Sequence, residues 1–452
     1  MVAATHEATR FDRLVRPAPD EPAITNDDHL AATRRADALA WIDEHGLPTG
    51  RDEPWHYTPL KELGAALGEA TPAPARQLDP GRVDALAGAH GGPRLVFVNG
   101  YFDAEHSETP QADGVWCGPS SQVPPEHAAL VASTAEGELS DGFEALNRAD
   151  GGDAAVVIAA PGATPSAPVQ VVHLTAPGDT LEIAHPRTIV CVGKDADVAV
   201  IESFVGQPGA ALRNTLSTML LGIGASLRHH RVQTEAGECL HVGLTNVTQA
   251  ANSTLASTSV MLGARVARNA INVRFAGTGA QANLRGLQVL DGRQRHDTMI
   301  TADHAASGCR SDQEFKSVVD DRARSSFSGH IIVRPGVVDT DAHQTNRNLL
   351  LSPQGQADTR PWLEIFADDV RCTHGATVGR LDDEALFYLR SRGIPAELGR
   401  SMLIDAFIRE VIDTVEPKSL RDHLKAVVAA KHAEAPIGHE DLHREAKAQV
   451  QS

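Results

Sequence analysis

The sequence predicts a mainly β body flanked by helical regions, and three observations carry that reading. From Ala154 to Leu351, brief runs of β-forming residues recur between Gly, Pro, Asp and Asn, with no long helical pattern among them. Before about residue 150, and again after Gly379, the hydrophobic period changes to that of helices. The junction Trp362 to Gly393, WLEIFADDVRCTHGATVGRLDDEALFYLRSRG, contains both rhythms with a thiol and an imidazole between them. The expected units are an N-terminal helical or mixed region over 1–150, a β core over 151–379 and a helical tail over 380–452.

Residues 1 to about 26 are polar and carry Pro17, Pro19 and Pro22, so they are expected to be loosely held. Asp27 to Glu44 reads as a helix, with Leu30, Ala38, Leu39 and Ile42 on its apolar stripe, and Pro48 and Gly50 mark a turn. In EPWHYTPLKEL, Glu53 to Leu63, Trp55 and Tyr57 combine large apolar surfaces with polar tips. They suit an anchor where a loop passes into a helix near Pro59, a packing role without chemistry. Between Ala70 and Ser140 the sequence says less: LVFVNG at 95–100 reads as a strand, the Pro/Gly-rich run after Thr109 as a loop, and Phe143 to Asn147 as a short helix.

The β runs then follow closely at 154–160, 168–176, 180–184, 188–193 and 197–206, and continue to Leu351. Ile271, Val273 and Phe275 alternate with Asn272 and Arg274, as on a strand with one buried face. No fixed period emerges, and hairpin signals do not separate each pair. A stacked solenoid would tolerate such variable loops, while a large sandwich or barrel remains open on the residues alone.

At the junction, Leu363 and Ile365 alternate with Glu364 and Phe366, and Val370, Cys372 and His374 share one strand face. Gly375, Gly379 and the change of period after Leu381 mark the end of the extended run. Asp382 caps a helix to Arg390, and Gly393 with Pro395 gives a stop and restart. A second helix runs from Pro395 to about Val415, with Leu398, Met402, Ala406 and Ile408 apolar, and Pro417 ends it. A third begins near Ser419, with Asp422 completing a capping box, and the last fifteen or so residues fray. The tail holds more apolar surface than three isolated helices could hide. Part of it is expected to pack on the body, as a cap on the last coil or otherwise.

With 41 basic and 59 acidic residues among 452, the net charge is −18, which disfavours nucleic acid and anionic membranes as partners. Five scattered cysteines, 117, 191, 239, 309 and 372, do not form a disulfide framework and fit a reducing compartment. With no apolar run of membrane-spanning length and no signal-peptide pattern, a cytoplasmic location is expected.

Cys372 and His374 form a C-x-H pair of metal-ligand types, but two ligands cannot close a four-coordinate site. Ordinary packing is the competing account. Cys309 lies near His296 and His304, for which packing or hydrogen bonding competes with a ligand role. The adjacent His229 and His230 alternate faces and cannot meet on one ligand. Asp339, Asp341, Asp368 and Asp369 could suggest a β-helical carbohydrate enzyme, although acidic pairs usually mark solvated turns. No G-x-x-x-x-G-K-[ST] occurs, so no P-loop is expected in this chain.

Two runs, DTDAHQTNRNLLLSPQGQADTRP and PWLEIFADDVRCTHGATVGRLDDEALFYLRSRGI, resemble the C-terminal core signature of the SufB/SufD family, the paralogous scaffold subunits of Suf iron–sulfur cluster assembly. EPWHYTPLKEL is more similar to the D-type paralogue. The B type should carry a further N-terminal cysteine-rich segment, and only Cys117 precedes residue 150 here. The resemblance implies a right-handed parallel β-helix and a non-catalytic scaffold. It implies a SufB-like partner at the last coils and a SufC-like ATPase docked on the tail, with two copies pairing when the B type is absent. It also implies a transient iron–sulfur cluster or iron at the interface with the B type, none held tightly by the isolated chain. His374 would be the residue offered there, with Cys372 in support.

Overall fold

The computed structural model describes residues 11–16, 26–79, 81–109, 113–135 and 137–434. The expectations for the N-terminal polar run and for the last residues fall largely outside them, as does the side chain of Leu30. Each β run pairs with the run after next, so every coil gives one strand to each of two walls. The first wall carries Ala155–Ala159, Arg187–Val192, Ala211–Leu221, Leu240–Gln249, Val266–Phe275, Arg295–His304, Arg324–Val333 and Gln356–Ile365. The second carries Arg94–Val98, Val169–Thr175, Asp197–Gly206, Ser226–Gln233, Thr254–Met261, Gln281–Leu290, Arg310–Val319, Thr340–Leu350 and Val370–Arg380. Neighbours within these walls pair in parallel. Antiparallel pairing occurs only where the body begins, at Tyr101–Phe102, Val115–Pro119 and the Arg94–Glu108 bridge, among the described residues. The body is thus a parallel β-solenoid of about eight coils, which removes the sandwich and barrel alternatives.

The Gly, Asp and Asn punctuation has one physical origin. Asp195, Gly224, Asn252, Gly279, Gly308 and Asp339 all sit at the same corner of successive coils with positive φ, between 54° and 71°. Glycine enters this region freely and Asn or Asp at modest cost. Their amides donate across coils, Asp195 to the carbonyl of Ile223, Gly224 to Ala251, Asn252 to Thr278 and so on to Asp339 and Asp369. Because the intervals vary between roughly 27 and 31 residues, the corners align while no sequence period survives.

Parallel register stacks equivalent residues into columns inside the bore. One column runs Val198, Leu227, Leu255, Ala282, Ser311, Ala342 and Cys372. Most bore columns are apolar, and burying a Val, Leu or Ile contributes about 1.5–3 kcal/mol each.

Eight α-helices lie outside the bore: α1 (Asn26–His45), α2 (Leu60–Glu69), α3 (Arg82–Ala87), α4 (Pro125–Ser133), α5 (Gly142–Ala149), α6 (Asp383–Ser391), α7 (Ala396–Ile412) and α8 (Lys418–Glu434), counted among the described residues. The Asp382 carboxylate accepts the amides of Glu384 and Ala385 and starts α6. By contrast Ser419 lies inside α8 rather than capping it, and Asp422 is ion-paired with Lys418 one turn back. α7 and α8 press Ile404, Ile408, Val411, Ile412, Leu420 and Leu424 onto the outer face of the second wall at Ile201, Val232, Val260, Leu287, Val318 and Leu349. These helices cover a flank and leave the last coil uncapped. On the first wall, α1, α2 and α5 bury Leu39, Ile42, Leu63, Leu67, Phe143 and Leu146 against Ile183, Leu212, Leu240 and Val266.

Candidate functional site

The open end of the solenoid consists of Gln356–Ile365 on one wall and Val370–Arg380 on the other, each paired on one side only. Val370–Arg380 includes Gly375 and Gly379 and ends one residue beyond the second, where the sequence places the end of the extended region. Its alternation is fixed by the strand beneath. Ala342, Gln344 and Asn346 are buried in the bore, and their register partners are Cys372, His374 and Ala376. Cys372 and His374 therefore sit side by side at the mouth, Cys372 partly buried against the bore and His374 exposed. The facing strand brings Thr359, Pro361 and Leu363, in register with the bore residues Phe327, Gly329 and Ile331.

Burial, with a smaller contribution from the Asp341 carboxylate, raises the Cys372 thiol pKa and favours its protonated form. On the outer face of the same strand pair, Asp341 and Thr373 hold His343 through its Nε2 and Nδ1, at 2.8 and 2.7 Å. Among the described residues no group of three or more His, Cys, Asp or Glu side chains could hold a metal ion. The mouth thus offers an imidazole and a thiol, half of a coordination set.

The other sequence candidates lie away from this edge. His296 and His304 share strand Arg295–His304, eight residues or about 26 Å apart at roughly 3.3 Å per residue. The Nε2 of His296 lies 2.8 Å from the carbonyl of Gly263, while His304 bonds Ser311 Oγ at 3.0 Å and stacks on Phe275. Burial pushes the two imidazoles down to about 3 and about 4. Cys309 is buried with its thiol directed at the carbonyl of Gly277, and burial raises its pKa. The structure does not bring these three to the mouth.

Trp55 is buried, stacked on Phe143 at 5.0 Å, with the Arg268 guanidinium 4.0 Å from its ring centroid. Arg268 in turn pairs with Asp297, which also takes the hydroxyl of Thr58. Tyr57 is only half-buried, edge-on to His56, so the anchor is Trp55 with Thr58 rather than Trp55 with Tyr57. Glu53 of the same motif ion-pairs with Arg360 on the terminal strand, tying the N-terminal segment to the open end. A cleft of about 550 Å³ lies beside this motif, lined by Trp41, Trp55, Arg268 and Met299 among others, with no cysteine in its lining.

Sequence reasoning missed Gln344, Thr359 and the Glu53–Arg360 link. Polar residues at alternate positions of TDAHQTNRN hint at Gln344, but only once the inward face is known.

Residues 173–407 match the family model for the SufBD core domain of SUF-system FeS cluster assembly. An iron–sulfur cluster assembly SufBD family protein of Synechocystis is 30% identical, over 94% of this chain and 96% of its own. The iron–sulfur cluster assembly protein SufD of Escherichia coli is 30% identical over 85% of this chain and 89% of its own. The chloroplast protein ABCI7 of Arabidopsis thaliana is 27% identical over 84% and 81%.

Proposed function

We propose, for a chain that belongs to the SufBD family of SUF-system iron–sulfur cluster assembly proteins, the role of a non-catalytic scaffold subunit of the D type. Its open terminal coil pairs with the SufB-like paralogue, and the nascent iron–sulfur cluster, as cargo, forms at that contact. The observation that carries this reading is the exposed His374 at the mouth of an uncapped coil, beside Cys372 and without enough ligands to close a site alone. An unpaired strand edge is a ready template for a second chain.

The SufC-like ATPase docks on the tail. α6 and α7 leave Phe387, Tyr388, Leu398 and Met402 exposed at 71%, 58%, 53% and 43%, while the opposite face of α7 is buried on the wall. Such a cluster of large apolar side chains marks an interaction surface. ATP hydrolysis then belongs to the partner, and closing motions there reach the mouth through α7 and the wall beneath it. The assembly works in the cytoplasm; among the described residues no helix is long and apolar enough to cross a membrane. In the absence of the B-type subunit the same edge pairs two copies of this chain.

The test is anaerobic cluster build-up in the reconstituted three-subunit complex with wild-type chain and with His374→Ala. Intact assembly with strongly reduced cluster formation is expected, and equal yields would refute the role of His374.

A further inference from the structure

Behind His374 the bore holds polar residues that packing alone does not call for. Going inward from His374, the same column position is filled by Gln344, Gln313, Leu284, Ser257 and His229. Gln344 and Gln313 are 2% and 0% exposed. A buried amide group left without a partner loses its hydration uncompensated, so apolar side chains would serve better if filling space were the only demand.

Gln344 Nε2 donates to Gln313 Oε1 at 2.9 Å, one coil deeper. The Oε1 of the same carboxamide takes no part in that bond, and the register neighbour of Gln344 on the open side is His374. That oxygen has no hydrogen-bond partner. The facing wall makes room for this arrangement with a glycine: a Cβ at Gly329 would lie 1.9 Å from Gln344 Nε2 and 2.4 Å from its amide carbon.

We propose that Gln344 is the positioning residue for His374, its Oε1 accepting the imidazole N–H and so aiming the other ring nitrogen out of the mouth toward the incoming cluster. This rests on the cluster-assembly reading above. The physical basis is general: an imidazole that ligates a metal through one nitrogen is oriented, and its tautomer fixed, by the acceptor at the other. Gln313 holds Gln344 in turn, so the two amides form a short strut from the bore to the site.

The experiment reads the His374 tautomer by imidazole ¹⁵N chemical shifts in the full chain, assigned through His374→Ala, alongside cluster build-up in the complex. Wild type shows one dominant tautomer. Gln344→Leu gives a mixture and lowers the rate of build-up about 10- to 100-fold, the range for losing an outer-shell partner. Gln344→Glu keeps an acceptor in place and restores both readouts. Gly329→Ala alters neither residue chemically, yet its methyl displaces the amide and reproduces the leucine result; should it fail to fold, the leucine and glutamate variants decide. Wild-type tautomer and build-up in Gln344→Leu, with build-up lost in His374→Ala, overturn this inference alone. Unchanged build-up in His374→Ala overturns the cluster reading and this inference with it.

Discussion

Lys316, fully buried on the outer face of the second wall, is ion-paired with Glu410 of α7, and its ammonium lies 4.7 Å from the ring centroid of Phe407. The tail is therefore fixed to the body by a charge inserted between helix and sheet. The contact joins α7 to strand Arg310–Val319, two strands from the one bearing His374.

Glu410→Ala leaves the Lys316 ammonium with Glu314 at 3.7 Å, the Phe407 carbonyl at 3.4 Å and the Phe407 ring. Because Glu410 is itself half exposed, solvent screening limits the loss, and a destabilisation of about 1–2 kcal/mol is expected rather than that of a fully buried pair. Urea unfolding of the single variant measures it. Lys316→Met, which removes the charge and keeps the stem, should be milder.

Phe387→Asp with Met402→Asp should abolish co-purification of the ATPase while changing the stability of the isolated chain by less than about 1 kcal/mol. Exposed side chains contribute little to folding, whereas large apolar anchors carry most of an interface. Retained co-purification would show that the tail serves only the flank.

Four buried histidines make the fold acid-sensitive. Burial holds His173 and His304 at about 4, and His230 and His296 at about 3, against about 6.5 when unfolded. The unfolded chain thus binds more protons than the native one below about pH 6.5, so stability is full above that value and falls as pH drops toward the folded values. By about pH 5 the loss is on the order of 2 kcal/mol per histidine. Below that, Glu202 adds to it: burial opposes ionisation, but the His229 hydrogen bond and charge hold the carboxyl at about 2. Melting temperature measured at about pH 7.5 and about pH 5 should differ strongly. His230→Leu should narrow the gap, since neither nitrogen of His230 has a hydrogen-bond partner.

Asp297→Ala should be among the most damaging substitutions where the N-terminal segment meets the first wall. It strands the Arg268 guanidinium, 3% exposed, beneath Trp55 and frees Thr58 and Ser326 of their acceptor. Removing one partner of a buried pair costs about 3–5 kcal/mol. Denaturant titration checks it, and the double variant Arg268→Met, Asp297→Leu should recover most of the loss.

The strands were legible because each brings its own alternation or apolar run, and the ends of Asp197–Gly206 coincide with the sequence reading. Their partners were not, because pairing with the run after next is set by corner geometry, and the αL residues recur at irregular intervals. Spacing placed Cys372 and His374 on one face. Which face required the register with Ala342 and Gln344. The end of their strand was legible too: the glycines and the change of period after Leu381 bracket its last residue, Arg380, while Gly375 stays in the ladder opposite Thr345. α3 and α4 were missed since both are short, and α4 starts at Pro125 in a stretch whose prolines read as loop. Among the anchors, Trp55 is buried between Phe143 and Arg268 while Tyr57 stays half-buried, a difference that depends on Arg268 some two hundred residues later.

Every inner coil is sandwiched between two others, but the one that ends at Arg380 rests on a single neighbour. In a stack whose stability is summed over adjacent layers, this layer opens at a lower free energy than those beneath it. The layer that carries His374 is thus the one whose order would gain most from a further neighbour laid on its open edge.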